Sequence, residues 1–206
     1  MPDISVAKQK LRLTQKAKRN SIKKDLQKKN ATLLAQQIEK LLQAIQPLSA
    51  PPILAAYLPI ASEINPLIAC KKARSKGYQI AMPRVIEAQK PLQFFAWHEN
   101  DPLEQEQFST QAPLLNAKKL NPSIFLIPML GFTMSGYRLG YGGGFYDRTL
   151  LALRNQNRNI LAVGIAHHIQ LCDDLPIDQY DQKLDAIISE RIIHQCQQNE
   201  YLDLLA

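Results

Sequence analysis

The segment Ile124-Phe-Leu-Ile-Pro-Met-Leu-Gly-Phe-Thr-Met-Ser-Gly-Tyr-Arg-Leu-Gly-Tyr-Gly-Gly-Gly-Phe-Tyr-Asp-Arg148 decides how the rest of the chain reads. It opens on a short apolar run, Ile124 to Ile127, with the length and bulk of a buried strand. Four of the protein's eight glycines follow between Gly140 and Gly144. A helical stretch from about Phe145 to Asn155 comes next, and then a second apolar run at Ile160 to Ala166. Strand, loop, helix and strand in that order are the repeating unit of a parallel sheet.

Working towards the amino terminus, the same alternation continues. Strands are predicted at Ile53 to Leu58, Tyr78 to Met82 and Leu92 to Trp97, with a helix from about Pro66 to Ser75. Asn65 can cap that helix, Pro66 suits its first position, and Gly77 can take the left-handed conformation that ends it. The polar, proline-containing stretch up to Ser123 carries no readable periodicity. A last strand is predicted at Leu184 to Ile188. Together these indicate an α/β fold, a three-layer sandwich with a largely parallel central sheet, in one domain over residues 1–206. In such sheets ligands gather at the carboxyl ends of the strands.

Residues 1–46 form a different kind of segment. From Ile4 to about Ile45 there is neither glycine nor proline, and Leu11, Leu26, Leu33, Leu34, Ile38, Leu41, Leu42 and Ile45 recur at helical spacings. Two helices, or one bent helix, are expected as an amino-terminal extension, with Ser21 as N-cap of the second and Pro47 as its stop. Residues 1–30 carry ten Lys and Arg against Asp3 and Asp25, a net charge of +8 in a protein whose total is +7. The basic character therefore belongs to the extension.

Composition narrows the class. With 46% hydrophobic and 21% charged residues the chain is globular rather than disordered. Cys70, Cys172 and Cys196 are odd in number and lie outside any metal-ligand spacing, which points to a reducing compartment. No apolar leader is present, and the run Ile53 to Ile64 is too short to span a bilayer and is broken by Pro59. A cytoplasmic protein is expected. His98, His167, His168 and His194 read as structural or exposed, since adjacent strand residues such as His167 and His168 face opposite ways. Trp97 reads as core.

Glycines without Cβ let backbone N–H groups approach an anion, and the helix N-terminus adds free donors and a partial positive charge. The loop Gly140 to Gly144 is thus a candidate phosphate site, bracketed by Arg138 and Arg148, with Asp147 able to reach a Mg²⁺ on the phosphates. It is neither a Walker A motif nor a full dinucleotide fingerprint, because no Gly-Lys-Ser/Thr follows and Phe145 replaces the third spaced glycine. A tight turn packed on the sheet would use the same glycines.

As a whole, Arg138-Leu-Gly-Tyr-Gly-Gly-Gly-Phe-Tyr-Asp-Arg148 resembles the signature of the 5-formyltetrahydrofolate cyclo-ligase family. Lys8-Gln-Lys-Leu-Arg12 resembles the family's amino-terminal motif, and Leu58 with Glu63 its pair after the first strand. Gln170, Pro176 and Tyr180-Asp-Gln-Lys-Leu-Asp185 resemble its closing segment. Thr133 stands where the family usually has aspartate, and Ala112 where glutamate or glutamine is common.

The resemblance implies ATP-driven closure of 5-formyltetrahydrofolate to 5,10-methenyltetrahydrofolate, with Mg²⁺, by a monomer that needs neither membrane nor nucleic acid. It implies that ATP lies against Lys8, Arg12, Arg138, Leu139, Gly140, Tyr141, Gly142, Gly143, Gly144, Phe145 and Tyr146. The folate would touch Leu58, Glu63 and the run Tyr141 to Phe145. Asp147 and Asp181 would hold the metal, while Tyr146 and Arg138 would stand at the reacting centre. Two rivals remain at this level: a nucleic-acid-binding protein using the basic helices, and a folate or nucleotide binder of the same fold without turnover. Against the first, residues 1–56 contain no Phe, Tyr or Trp for bases to stack on.

Overall fold

The computed structural model describes residues 4–45, 51–106, 110–156 and 158–199. Helices α1 (Ile4–Asn20) and α2 (Lys24–Ala44) come first. Strand β1 (Ile53–Ala55), helix α3 (Leu67–Ser75) and strands β2 (Gln79–Arg84) and β3 (Gln93–Ala96) follow. The stretch unread in sequence supplies three short strands, β4 (Leu103–Gln105), β5 (Gln111–Pro113) and β6 (Lys119–Leu120). Then come β7 (Ile124–Pro128), a hairpin of β8 (Gly131–Phe132) and β9 (Arg138–Leu139), α4 (Phe145–Asn155) and β10 (Leu161–Ile165). A 3-10 turn at His168–Gln170, β11 (Ala186–Ile188) and β12 (Ile193–Gln195) complete the order.

Eight strands make one sheet in the order β12-β11-β10-β7-β1-β2-β3-β6. The five from β11 to β2 are parallel, and the outer pairings to β12, β3 and β6 are antiparallel. Their residues alternate between two cores, as the two-residue period of a strand requires. Leu54, Ile124, Leu126, Leu161, Val163, Ile165, Ala186 and Ile188 face α2 and α3. Ala55, Phe125, Ile127, Ala162 and Ile187 face the opposite layer, where Leu150 of α4 packs. Being covered on both faces is why these strands read as unbroken apolar runs rather than alternating ones.

Helix α2 places Leu34, Ala35, Ile38, Leu41 and Leu42 in the first core, so the apolar stripe seen in sequence is a packing face. Burying each of the larger side chains contributes about 2 kcal/mol. Pro66 takes the N-cap position of α3 rather than its first helical position, the Asn65 side chain one residue earlier accepts from the Leu67 amide at 2.8 Å, and Gly77, with φ 90°, follows the helix end. Ser21 does not cap α2 as the sequence suggested. Its hydroxyl donates back to the Lys18 carbonyl at 2.7 Å and closes α1, while Lys23 takes the N-cap position without a side-chain bond. The physical reason is that a serine near a helix end can serve either terminus, and the turn through Ser21 and Ile22 leaves the extended Lys23 as the residue next to α2. Pro47 lies outside the described residues.

Trp97 is buried in the α2–α3 core, and His167 is fully buried with Nδ1 3.0 Å from Asn30 Nδ2. Since the amide nitrogen donates, Nδ1 accepts and Nε2 carries the proton. Cys70 and Cys172 are buried, and none of the three cysteines is paired. Among the described residues no helix is long and apolar enough to cross a membrane.

Candidate active site

The carboxyl ends of β1, β7 and β10 open on one side of the sheet, and the candidate residues collect there. After β7 the chain makes the β8–β9 hairpin and runs directly into Gly140–Gly144 and α4. Gly144 is the N-cap of α4 at φ 63°, no side chain caps it, and Gly142 has φ 104°. A Cβ at Gly143 would stand 2.8 Å from the Phe145 ring, so this position has room only for glycine. The first amides of α4 are therefore left without a side-chain cap beside a backbone that lacks side chains, which is the local requirement for an anion to come close.

Helix α1 lies across this loop by its polar face. Lys8, Arg12, Gln15 and Arg19 fall on one stripe at spacings of four, three and four residues. Arg12 Nε donates to the Gly140 carbonyl at 2.9 Å, and its guanidinium would meet a Cβ at Gly142 at 3.4 Å. Gln15 Nε2 donates to Cys172 Sγ at 2.8 Å. Lys8 Nζ lies 2.6 Å from both Asp178 Oδ2 and Asp181 Oδ2. Burial would lower the Lys8 pKa, but the two carboxylates outweigh it and raise the ammonium above its ordinary value. Asp178 is correspondingly held below the usual carboxylate range by Lys8.

Arg138 is pinned from two sides. Its Nη2 donates to Asp147 Oδ1 at 2.5 Å and its Nη1 to the Gln182 carbonyl at 2.5 Å. Asp147 Oδ1 also accepts from the Gln182 amide at 3.1 Å, so the first turn of α4 is tied to the segment containing Asp181. Burial lowers the Arg138 pKa, against the pull of Asp147. Among the described residues the bonds to Asp147 fall on Oδ1 and those to Asp181 on Oδ2, leaving one oxygen of each carboxylate for another ligand.

Glu63 lies on the far side of the glycine loop, after β1. Its Oε2 accepts from the Ile60 amide at 2.9 Å, its Oε1 accepts from the Tyr141 hydroxyl, and Arg19 Nη1 stands 3.7 Å away. Burial pushes its carboxyl above the ordinary value, with Tyr141, the Ile60 amide and Arg19 pulling the other way. Leu58 is half-buried against the neighbouring core. Tyr146, on the first turn of α4, has a buried hydroxyl with no hydrogen-bond partner among the described residues. Burial, with the Glu63 charge, raises its pKa, and the Arg138 charge works against them.

The structure thus brings Arg12 of the extension to the glycine loop and Lys8 to Asp178 and Asp181, and it joins Glu63 to that loop through Tyr141. Asp147 and Asp181 sit near each other but each is engaged by a cation, Arg138 or Lys8. Leu139 is buried against Leu130 and Leu175, a packing position. Thr133 stays within the β8–β9 turn, where its Oγ1 lies 2.8 Å from Ser135 Oγ, and Ala112 is buried in β5. Sequence reasoning missed Arg19 and Asp178. Arg19 carried one usable signal, its place on the stripe of Lys8, Arg12 and Gln15, but Lys10, Lys16 and Lys18 are equally basic and point into solvent. Asp178 had no signal, since its role depends on where α1 lies.

A family model described as the 5-formyltetrahydrofolate cyclo-ligase family matches residues 4–190. The chain is 37% identical over 101 residues to a 5-formyltetrahydrofolate cyclo-ligase of Haemophilus influenzae, covering 47% of this chain and 53% of that one. The chain spans about half the length of the curated relatives it matches. The NMR structure of Aquifex aeolicus 5,10-methenyltetrahydrofolate synthetase superposes with a TM-score of 0.74 at 23% identity over 94% of each chain. A solved structure of a 5,10-methenyltetrahydrofolate synthetase from Mycoplasma pneumoniae superposes with a TM-score of 0.69 at 25% identity, over 89% of this chain and 98% of the other.

Proposed function

The chain belongs to the 5-formyltetrahydrofolate cyclo-ligase family, and on that premise we propose that it converts 5-formyltetrahydrofolate to 5,10-methenyltetrahydrofolate with consumption of ATP and release of ADP and phosphate. A formamide oxygen is a poor leaving group. Transfer of the γ-phosphoryl group to that oxygen activates the formyl carbon, and N10 of the folate then attacks it and expels phosphate. Such a transfer needs positioning and charge stabilisation more than covalent help.

The single observation that carries this reading is the Tyr146 hydroxyl. It is buried on the first turn of α4 directly after the glycine loop, has no hydrogen-bond partner among the described residues, and feels the charges of both Glu63 and Arg138. An unpaired buried donor costs free energy unless a ligand uses it. Tyr146 and Arg138 are accordingly assigned to the reacting centre.

On the phosphate side, support comes from the side-chain-free loop Gly142 to Gly144, the uncapped start of α4 and the guanidinium of Arg12 beside Gly140 and Gly142. ATP would also lie along Leu139, Tyr141 and Tyr146, with Lys8 reaching its phosphates. On the folate side, Glu63 can accept paired N–H bonds from the pterin while Leu58 and the run Tyr141 to Phe145 pack on its face.

The donor set fits a Mg²⁺ ion. No group of three or more His, Cys, Asp or Glu side chains able to hold a metal occurs among the described residues. Two carboxylates with a free oxygen each, Asp147 and Asp181, suit an ion that takes its remaining ligands from water and phosphate. When bound, Mg²⁺ would neutralise charge on the β- and γ-phosphate oxygens. The reading further places the enzyme in the cytoplasm as a monomer acting on small molecules, without a nucleic-acid partner. The lack of Phe, Tyr and Trp in residues 1–56, which leaves bases nothing to stack on, supports the last point.

The test is direct. Incubation with ATP, Mg²⁺ and 5-formyltetrahydrofolate should give the absorbance of the methenyl product, and omission of ATP should abolish it. Binding of both ligands without product would leave a non-catalytic binder of the same fold.

A further inference from the structure

Arg19 is only 1% exposed and is the largest of the fully buried side chains among the described residues. Its Nε donates to Ser62 Oγ at 3.0 Å, and Ser62 Oγ donates to Asn20 Oδ1 at 2.5 Å, so the end of α1 is tied to the loop after β1. Its Nη1 donates to the Tyr141 hydroxyl, which in turn donates to Glu63 Oε1. One guanidinium thereby joins α1, the segment Ile60–Glu63 and the glycine loop. A buried ion pair adds little net stability over an apolar side chain of similar size, so stability does not account for a cation here. Orientation does, because the fixed fork of a guanidinium can hold two acceptors in one geometry.

We infer that Arg19 is a positioning residue, holding Glu63 and Tyr141 in a single arrangement so that closure of α1 over the glycine loop also completes the folate pocket. The inference rests on the function proposed above. Arg19 itself touches neither substrate.

Among the described residues Glu63 is met by Arg19 from α1, Tyr141 from the glycine loop and the Ile60 amide, and its charge is felt by Tyr57 after β1 and Tyr146 of α4. The three phenols are all raised above their ordinary pKa and stay neutral at working pH. His167, near Arg19, is kept neutral by burial. Arg19 is then the cation that favours the Glu63 carboxylate. A carboxylate is needed to accept pterin N–H bonds, so folate affinity falls as pH drops through the Glu63 pKa. Without Arg19 that fall moves to higher pH.

The experiment compares wild type with R19M, R19K and Y141F, each checked for folding by far-UV circular dichroism. Folate KM and kcat are measured from pH 5.5 to 8, and the Glu63 carboxyl is titrated by carbon-13 NMR. The expected result is a rise of about tenfold in folate KM for R19M, with kcat changed less and the KM rise beginning at higher pH. R19K should restore part of the affinity and most of the pH profile, and Y141F should shift KM less than R19M. Folded R19M with wild-type KM and an unmoved Glu63 titration overturns the inference. So do equal losses in R19M and R19K with unshifted pH profiles, which would mark a merely structural side chain. A wild-type protein that makes no methenyl product, while R19M still raises the Glu63 titration, overturns the folate reading and upholds the role of Arg19.

Discussion

Helices α1 and α2 are neighbours in the chain, share one basic segment and are separated by three residues, yet they are held by opposite means. Helix α2 buries Leu34, Ile38 and Leu41 in the main core, and its lysines face solvent. Helix α1 buries only Gln15 and Arg19, while Val6 and Leu13 are exposed. The first is fixed by apolar area. The second is fixed chiefly by hydrogen bonds and ion pairs to the loops that form the site, with Leu11 alone packed against the small cluster of Leu130, Leu139, Cys172 and Leu175, so its attachment can respond to what those loops bind. A helix held through polar contacts is a functional strap more than a structural layer.

The largest expected effect separates the two helices by stability. Ile38→Ala should lower unfolding free energy by about 3 kcal/mol, through lost transfer energy and a residual cavity, measured by urea denaturation. The ATP KM of the folded fraction should stay unchanged. Arg12→Ala should do the reverse, raising ATP KM about 100-fold, equivalent to about 2.7 kcal/mol, with no shift in the urea midpoint. If Ile38→Ala spared stability, or Arg12→Ala unfolded the protein, the contrast would collapse.

A smaller effect is expected from Asp178→Asn, which leaves Lys8 with Asp181 alone. ATP KM should rise about fivefold, near 1 kcal/mol, and amide exchange in α1 should accelerate while that of α2 does not. The pH dependence of this clamp follows from both partners. Asp178 is depressed from its ordinary 3.8, so its contribution is full above that pH and is lost as pH falls through the lower folded value. Lys8 is raised from 10.5, so its contribution is full below that pH and is lost as pH rises through the higher folded value. Exchange protection of α1 should therefore be flat between those limits, and a break near neutrality would contradict the pairing. The smallest effect belongs to α2: Glu39, held down to about 2 by Lys72 and Lys76 of the α3 region, is a solvent-screened bridge. Glu39→Gln should leave the thermal midpoint within experimental error.

The parallel sheet was legible because its central strands are buried on both faces and their apolar runs survive without partners being known. Helix α4 was read to the residue, Phe145 to Asn155, since glycines precede it and a polar turn ends it. Strands β4, β5 and β6 were not, for each has only two or three residues and β4 and β5 pair only with each other, giving no core periodicity. The phosphate loop was visible as a local pattern of glycines. The partner of Glu63 was not, because Arg19 is 44 positions away and looks like any other cation of a basic helix.

What the sequence determined by itself is what depends on neighbours in the chain: strand and helix content, the glycine loop, the charge of the extension, and the motifs that mark the family. Only the tertiary structure decided which of ten similar cations near the amino terminus turn inward and which acids receive them. The reason is that a helix's periodicity fixes which residues share a face, whereas the direction in which that face points is set by the packing of distant elements.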